Sequence, residues 1–219
     1  MGHPEADRLR TRAEASGIPV RVTSAGELVE LVATEHPSGF LAVLAWAPER
    51  LPGTAEVLWE IERLAPASLL CLDRVADPGN LGTRLRTADA FGVGGVVLGR
   101  GCVEATNPKV VRSAVGSLLS LPWIAEDVIL SELLPLLDSR GWLVLRAEAS
   151  SGEPPALPDR GRRWVLVLGS EAHGTDPRLR PIGQGIHIPI RGTAGSLNVA
   201  VAGGILLHLL TKERMDRDA

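Results

Sequence analysis

Ser68-Leu69-Leu70-Cys71-Leu72-Asp73-Arg74-Val75-Ala76-Asp77-Pro78-Gly79-Asn80-Leu81-Gly82-Thr83-Arg84-Leu85-Arg86-Thr87-Ala88 begins as an almost unbroken apolar run and then changes character. Ser68–Asp73 reads as a strand, because a strand covered on both faces of a parallel sheet has no polar side to show. Pro78-Gly79 marks a turn, and a helix is predicted over Asn80–Phe91. At its start Asn80 can satisfy backbone N–H groups that lack an intrahelical partner. Gly82 admits close approach of another backbone or a ligand. Arg86 lies six residues past Asn80, roughly one and two-thirds turns along the helix. It suits either a place near the N-terminal pocket or an ordinary surface charge.

Outward from this stretch the pattern repeats. Gly95–Leu98, Trp142–Ala147, Trp164–Leu168 and Ile186–Ile190 read as strands, with helices over Lys109–Leu119 and Ser196–Glu213. Alternating strands and helices imply an α/β fold with a parallel sheet. Residues 47–66 read as a linker around a helical piece, Ala55–Leu64. Upstream, Leu9–Ala15 is helix-like and Gly17 stops it. Ile18–Val22 reads as a short strand, Thr23-Ser24-Ala25-Gly26-Glu27 as a helix cap, and Phe40–Trp46 as a buried strand. The expected organisation is therefore a small partial α/β segment (1–46), a linker (47–66) and one α/β domain (67–219).

Composition excludes several classes. The chain has 219 residues, 45% hydrophobic and 22% charged, enough apolar sequence to bury a core without staples. Cys71 and Cys102 stand alone in apolar surroundings, which fits reduced, buried thiols. No Cys/His cluster has metal-ligand spacing, so no metal is expected. No apolar run is long enough to cross a bilayer and no signal peptide is legible, so the expected location is the cytoplasm. The net charge of −3 argues against binding nucleic acid by bulk electrostatics, although arginines cluster locally at Arg84/Arg86, Arg162/Arg163 and Arg178/Arg180. Tyrosine is absent and there are two Phe, so any RNA contact is expected through phosphates and shape rather than base stacking.

Two further segments carry polar residues at strand ends, where open α/β sheets bind ligands. In Leu166-Val167-Leu168-Gly169-Ser170-Glu171, a carboxylate follows directly on a buried strand and can accept a ligand hydrogen bond or serve a helix start. In Ile188-Pro189-Ile190-Arg191-Gly192-Thr193-Ala194-Gly195-Ser196-Leu197-Asn198, a small-residue loop leads to Ser196, placed to cap the last helix. Asn198 then falls in the first turn, where its amide can serve backbone or ligand.

In this order and at these spacings, the three segments resemble the signature motifs of SpoU (TrmH-like) RNA ribose methyltransferases of the SPOUT superfamily. Asn80-x-Gly82-x-x-x-Arg86 is similar to the first motif, Leu168-Gly169-Ser170-Glu171 to the second, and Ile188-Pro189-Ile190 through Ser196-Leu197-Asn198-Val199 to the third. Asn107–Gly116 resembles the family's intervening segment, and the likeness runs from about Ser68 to Leu210. The resemblance implies a parallel sheet with a deep C-terminal trefoil knot, a homodimer, and S-adenosylmethionine as methyl donor. It implies a ribose 2′-hydroxyl of structured RNA, rRNA or tRNA, as acceptor. Arg86 carries over as the residue that activates the hydroxyl, with Asn80, Glu171, Ser196 and Asn198 shaping the site. Leu98, Gly99, Leu168, Gly169, Ile188, Ile190, Ser196 and Leu197 carry over as donor-binding positions. Relatives with an RNA-binding extension carry a complete ribosomal protein L30e-like domain; residues 8–46 resemble only its second half, ending in Pro37–Val43.

Two other readings stand beside this one. A silent RNA-binding or assembly protein of the same fold requires no intact site, yet Asn80, Arg86, Glu171, Ser196 and Asn198 are all present. A nucleotide-dependent oxidoreductase needs G-x-G-x-x-G after the first strand, and Gly92-Val93-Gly94-Gly95-Val96-Val97 fails that spacing.

Overall fold

The computed structural model describes residues 4–32, 39–45, 54–64, 67–125, 129–149, 153–155, 158, 161–170, 173–193 and 196–218. The chain divides into two compact units, Met1–Ala47 and Pro48–Ala219. The first holds helices α1 (Pro4–Ala15) and α2 (Ala25–Leu31). A reciprocal capping box starts α2: the Glu27 N–H donates to Ser24 Oγ at 3.2 Å and the Ser24 N–H to Glu27 Oε2 at 3.0 Å. The strands expected at 18–22 and 40–46 are not there. Residues 18–22 and 40–45 form no ladder, and Val22 and Val43 are 76% and 90% exposed. An extended segment becomes a strand only when another backbone takes its hydrogen bonds, and none of the described residues of this unit does so. Trp46 and residues 33–38 lie outside the described residues.

The second unit is a six-stranded, all-parallel sheet in the order β3-β2-β1-β5-β4-β6. Its strands are β1 (Ser68–Leu72), β2 (Gly95–Leu98), β3 (Trp123–Ile124), β4 (Leu143–Ala147), β5 (Trp164–Leu168) and β6 (Gln184–Ile186). The helices are α3 (Thr54–Leu64), α4 (Pro78–Ala90), α5 (Pro108–Ala114), α6 (Ser117–Ser120), α7 (Leu130–Ser139) and α8 (Val199–Asp218). Side chains alternate between two cores, one on each face. Leu70, Leu72, Leu98, Leu166 and Leu168 pack with Leu81 and Leu85 of α4 and Leu206 and Leu210 of α8. Leu69, Cys71, Val97, Val165 and Val167 face Val57 and Ile61 of α3 and Leu133, Leu134 and Leu137 of α7. Each fully buried leucine is worth roughly 2 kcal/mol of transfer free energy, so the doubly covered strands anchor the fold.

Several boundaries differ from expectation. The helix predicted over 109–119 is two helices, because Val115 (φ 50°) and Gly116 (φ 92°) both take the left-handed conformation. The last strand lies at 184–186 rather than 186–190: its register ends with Ile186 opposite Ala147, and Pro189, with no N–H, cannot continue a ladder. β3 and α7 go beyond the sequence reading; β3 is only two residues long, and Pro135 stands inside α7. The helix within 47–66 buries Val57, Leu58 and Ile61.

Candidate functional site

Parallel strands present all their carboxyl ends at one edge, and the strand order turns about β1. From β1 the chain proceeds to β2 and β3 on one side, then crosses to β5's side for the rest. Such a switch point leaves a crevice at the strand ends. Here the two neighbours at that point, β1 and β5, run in register up to Leu72 opposite Leu168, and the Asp73 N–H donates to the Leu168 carbonyl at 2.9 Å. The first two candidate segments begin at these residues.

The first segment starts its helix two residues earlier than expected, with Asp77 as the cap. Its Oδ1 accepts the Asn80 N–H at 2.7 Å, and Pro78 occupies the first helical position, where no N–H is missed. Asn80 is therefore not the cap. Its side chain, half-buried, is left for other work. Arg86 is exposed and makes no hydrogen bond or ion pair among the described residues. Gly82 is a contact point of α4 with α5: a Cβ there would lie 1.9 Å from Ser113 Oγ and 2.6 Å from the Val110 carbonyl oxygen.

The second segment leaves β5 at Gly169, where a Cβ would lie 2.0 Å from the Gly174 carbonyl carbon, so only glycine fits. Ser170 and Gly174 exchange both backbone hydrogen bonds at 3.0 Å, closing a tight turn. Glu171 lies outside the described residues. Beyond the turn, Asp73 Oδ2 accepts the Asp176 N–H at 2.7 Å, and Arg178 Nη2 pairs with Asp176 Oδ2 at 2.7 Å. Hydrogen bonds from the Arg178 side chain and N–H hold the Asp176 carboxyl at about 2, well below its ordinary range. A cleft of about 200 Å³ opens beside this turn, walled by Ile129, Leu130 and Leu179 and rimmed by Arg74, Arg100 and Arg178.

In the third segment the last helix begins at Val199, and its cap is Asn198 rather than Ser196. Asn198 Oδ1 accepts the N–H groups of Ala200 at 2.9 Å and Val201 at 3.2 Å. Ser196, Leu197 and Asn198 are exposed, Ile188 and Ile190 half-buried. No backbone hydrogen bond is made by Ile188, Ile190 or Leu197 among the described residues. His187, just before them, buries an Nδ1 without a partner among those residues. Leu98 is buried at the end of β2 and the Gly99 N–H is taken by the Leu72 carbonyl at 2.8 Å. That pair stands two strands from β5, about 10 Å away.

Three residues outside the expected site set meet these segments. Asp73 and Arg74 grip the turn after β5, and Arg84 reaches the Gly169 carbonyl from α4. Arg84 left a trace in the sequence: it shares the i, i+3, i+4, i+7 stripe of Leu81, Leu85 and Ala88, the face that helices turn inward. Among the described residues no group of His, Cys, Asp and Glu could hold a metal ion, and no helix is long and apolar enough to cross a membrane. Among the described residues the three segments supply backbone polar groups without backbone partners, an exposed guanidinium and two amides, groups suited to orienting a polar ligand and an anion.

Residues 67–208 match the SpoU rRNA Methylase family. The 23S rRNA (guanosine(2553)-2'-O)-methyltransferase RlmP of Bacillus subtilis (strain 168) is 34% identical over 196 residues, which are 89% of this chain and 73% of that protein. Among solved structures, the AdoMet-bound rRNA methyltransferase from Sinorhizobium meliloti superposes with a TM-score of 0.75 at 26% identity, over 96% of this chain and 78% of that one. The SpoU methyltransferase AviRb from Streptomyces viridochromogenes, in complex with the cofactor AdoMet, gives 0.61 at 27% identity, over 67% of this chain and 57% of that one. The chain thus spans less than two thirds of the AviRb chain.

Proposed function

Because this chain belongs to the SpoU rRNA methylase family, we propose that it transfers a methyl group from S-adenosylmethionine to a ribose 2′-hydroxyl of structured rRNA. The observation that carries the reading is Arg86, an exposed guanidinium without a partner among the described residues, on the helix that leaves the switch-point strand β1. A guanidinium is a poor proton acceptor but a rigid, two-pronged phosphate ligand. Arg86 therefore holds the phosphate beside the target ribose and so orients its hydroxyl for in-line attack. Asn80, Glu171, Ser196 and Asn198 shape the same site.

The residues present fit the donor. In this reading the backbone groups of Ile188, Ile190 and Leu197 and the buried His187 Nδ1, all without hydrogen-bond partners among the described residues, serve the adenosine. Leu98, Gly99, Leu168, Gly169 and Ser196 complete the donor-binding set of this reading. When bound, S-adenosylmethionine supplies an activated methyl group on a sulfonium. The transfer forms a bond from the 2′-oxygen to that carbon, breaks the carbon–sulfur bond and releases the hydroxyl proton.

The reading extends to a trefoil-knotted domain over residues 67–219, supported by the way α8 packs back on β5 and α4. A Cβ at Gly203 would lie 2.7 Å from Leu168 Cδ1, and one at Gly204 would lie 3.6 Å from Thr87 Cγ2. It extends to a homodimer, supported by exposed Val201 and Ile205 four residues apart on α8, to residues 1–46 as a substrate-binding segment, and to the cytoplasm as its place of action.

Calorimetry tests the first step. S-adenosylmethionine is expected to bind the purified protein, and no binding at millimolar ligand sinks the enzyme reading in favour of an assembly protein. Arg86→Ala is expected to bind the donor as before yet lose methyl transfer. Mapping 2′-O-methyl positions in rRNA and tRNA with and without the gene identifies the acceptor; a missing mark in tRNA alone overturns rRNA.

A further inference from the structure

We infer that Arg84 is a positioning residue for the donor site: from inside α4 it fixes the turn that follows β5. The inference rests on the methyl-transfer reading above. The inward stripe of α4 is apolar at Leu81, Leu85 and Ala88, yet it contains Arg84, which is 2% exposed. A guanidinium taken out of water carries a desolvation cost that its hydrogen bonds offset. Among the described residues Nε and Nη1 of Arg84 are buried without an acceptor, while Nη2 donates to the Gly169 carbonyl at 3.3 Å.

That acceptor belongs to the first residue of the turn, and the turn has little slack. A side chain at 169 would collide with Gly174, and Ser170 and Gly174 close the loop with two backbone hydrogen bonds. The far end of the turn is held from β1. Asp73 Oδ2 accepts the Asp176 N–H at 2.7 Å, while Arg74 Nη2 donates to the Gly174 carbonyl at 3.4 Å. Asp73, Arg74 and Arg84 all come from the segment that also carries Asn80 and Arg86.

Arg84 and Arg86 share a helix, so α4 cannot shift relative to Gly169 without lengthening the Arg84 hydrogen bond. Arg84 thereby sets the separation between the residue that orients the acceptor and the turn that borders the donor. A charged donor held by packing reaches its acceptor with little reorganisation, which is what a site needing fixed geometry requires.

The test compares Arg84→Met, an apolar side chain of similar length, with Arg84→Lys. Arg84→Met removes the desolvation cost of the buried charge along with its hydrogen bond to a neutral carbonyl, so the Met protein is expected to fold. Calorimetry should show its affinity for S-adenosylmethionine reduced about tenfold, the scale of one lost charge-assisted hydrogen bond. The KM for RNA should stay within about twofold, because the acceptor's own contacts are intact. Arg84→Lys should recover part of the donor affinity. Amide hydrogen exchange over residues 169–176 should accelerate in Arg84→Met while the interiors of β1 and β5 keep their protection.

Wild-type affinity together with unchanged exchange in folded Arg84→Met overturns the inference. If Arg84→Met does not fold, the same two measurements on Arg84→Lys decide: unchanged affinity and exchange overturn it, and a loss in both supports it. Absence of donor binding by the wild type sinks the methyl-transfer reading instead. The exchange measurement then still reports whether Arg84 holds the turn.

Discussion

Gly82 stands where α4 meets α5 with no space for a methyl group, since its nearest would-be neighbours are a hydroxyl and a backbone carbonyl. Gly82→Ala should lower stability by about 1–3 kcal/mol through overpacking, despite alanine's better helix propensity; equal urea midpoints for mutant and parent contradict the packing described. The two thiols are protected for a different reason. Burial pushes the pKa of both Cys71 and Cys102 up, so the reactive thiolate is scarce. A thiol reagent at pH 8 should label Cys71 slowly in the native protein and quickly in the urea-unfolded protein, with the half-buried Cys102 labelled faster than Cys71; fast native labelling of Cys71 refutes its burial. Under the proposed function Asn198 has two roles within one side chain. Its Oδ1 caps α8, and its amide N–H groups serve the proposed site. Asn198→Asp should keep the cap and the melting temperature but lose methyl transfer, whereas Asn198→Ala should lose both, with about 1 kcal/mol from the cap. Full activity in Asn198→Asp removes the amide from the mechanism.

At the scale of elements, helix starts carry much of the site's geometry. Asp77 caps α4, Asn107 caps α5 and Asp176 caps the 3-10 turn Pro177–Leu179, each followed directly by proline. In sequence Pro78-Gly79 reads as a turn with the helix opening at Asn80, whereas in the structure the helix opens at Pro78. Only the hydrogen bond from the Asn80 N–H to Asp77 decides between them. The Asp176 cap has a pH signature. Its folded value of about 2 lies below the ordinary 3.8. A depressed carboxyl contributes stability above its unfolded value and loses it as pH falls toward the folded one. The turn should therefore hold through pH 4 and loosen on approach to pH 2. An NMR titration of the Asp176 carboxyl with a midpoint near 3.8 contradicts the Arg178 pairing.

At the scale of the whole molecule, α8 buries Leu206, Leu207 and Leu210 against the sheet while Val201 and Ile205 stay open to solvent. Under the proposed homodimer these open residues meet a second copy. Light scattering should give twice the chain mass for the wild type and a monomer for Val201→Asp/Ile205→Asp, with methyl transfer lost in the monomer. A wild-type monomer with full activity removes the partner from the site. The described residues of Met1–Ala47 show the opposite case to the sheet: apolar segments that read as strands but find no ladder there.

What the sequence determined by itself is the α/β class, the strands β1, β2, β4 and β5, and the three polar segments, two of them at the ends of β1 and β5. Strands buried on both faces must be apolar throughout, and open α/β sheets bind ligands beyond their strand ends, so the polar residues clustered there stand out. What the tertiary structure decided is which strands are neighbours, that β1 lies beside β5, and that Arg84 points inward onto Gly169 rather than outward like Arg86. These depend on pairing between residues far apart in the chain. No local pattern encodes such pairing, because its free energy arises only when the partner backbone and its packed side chains are in place.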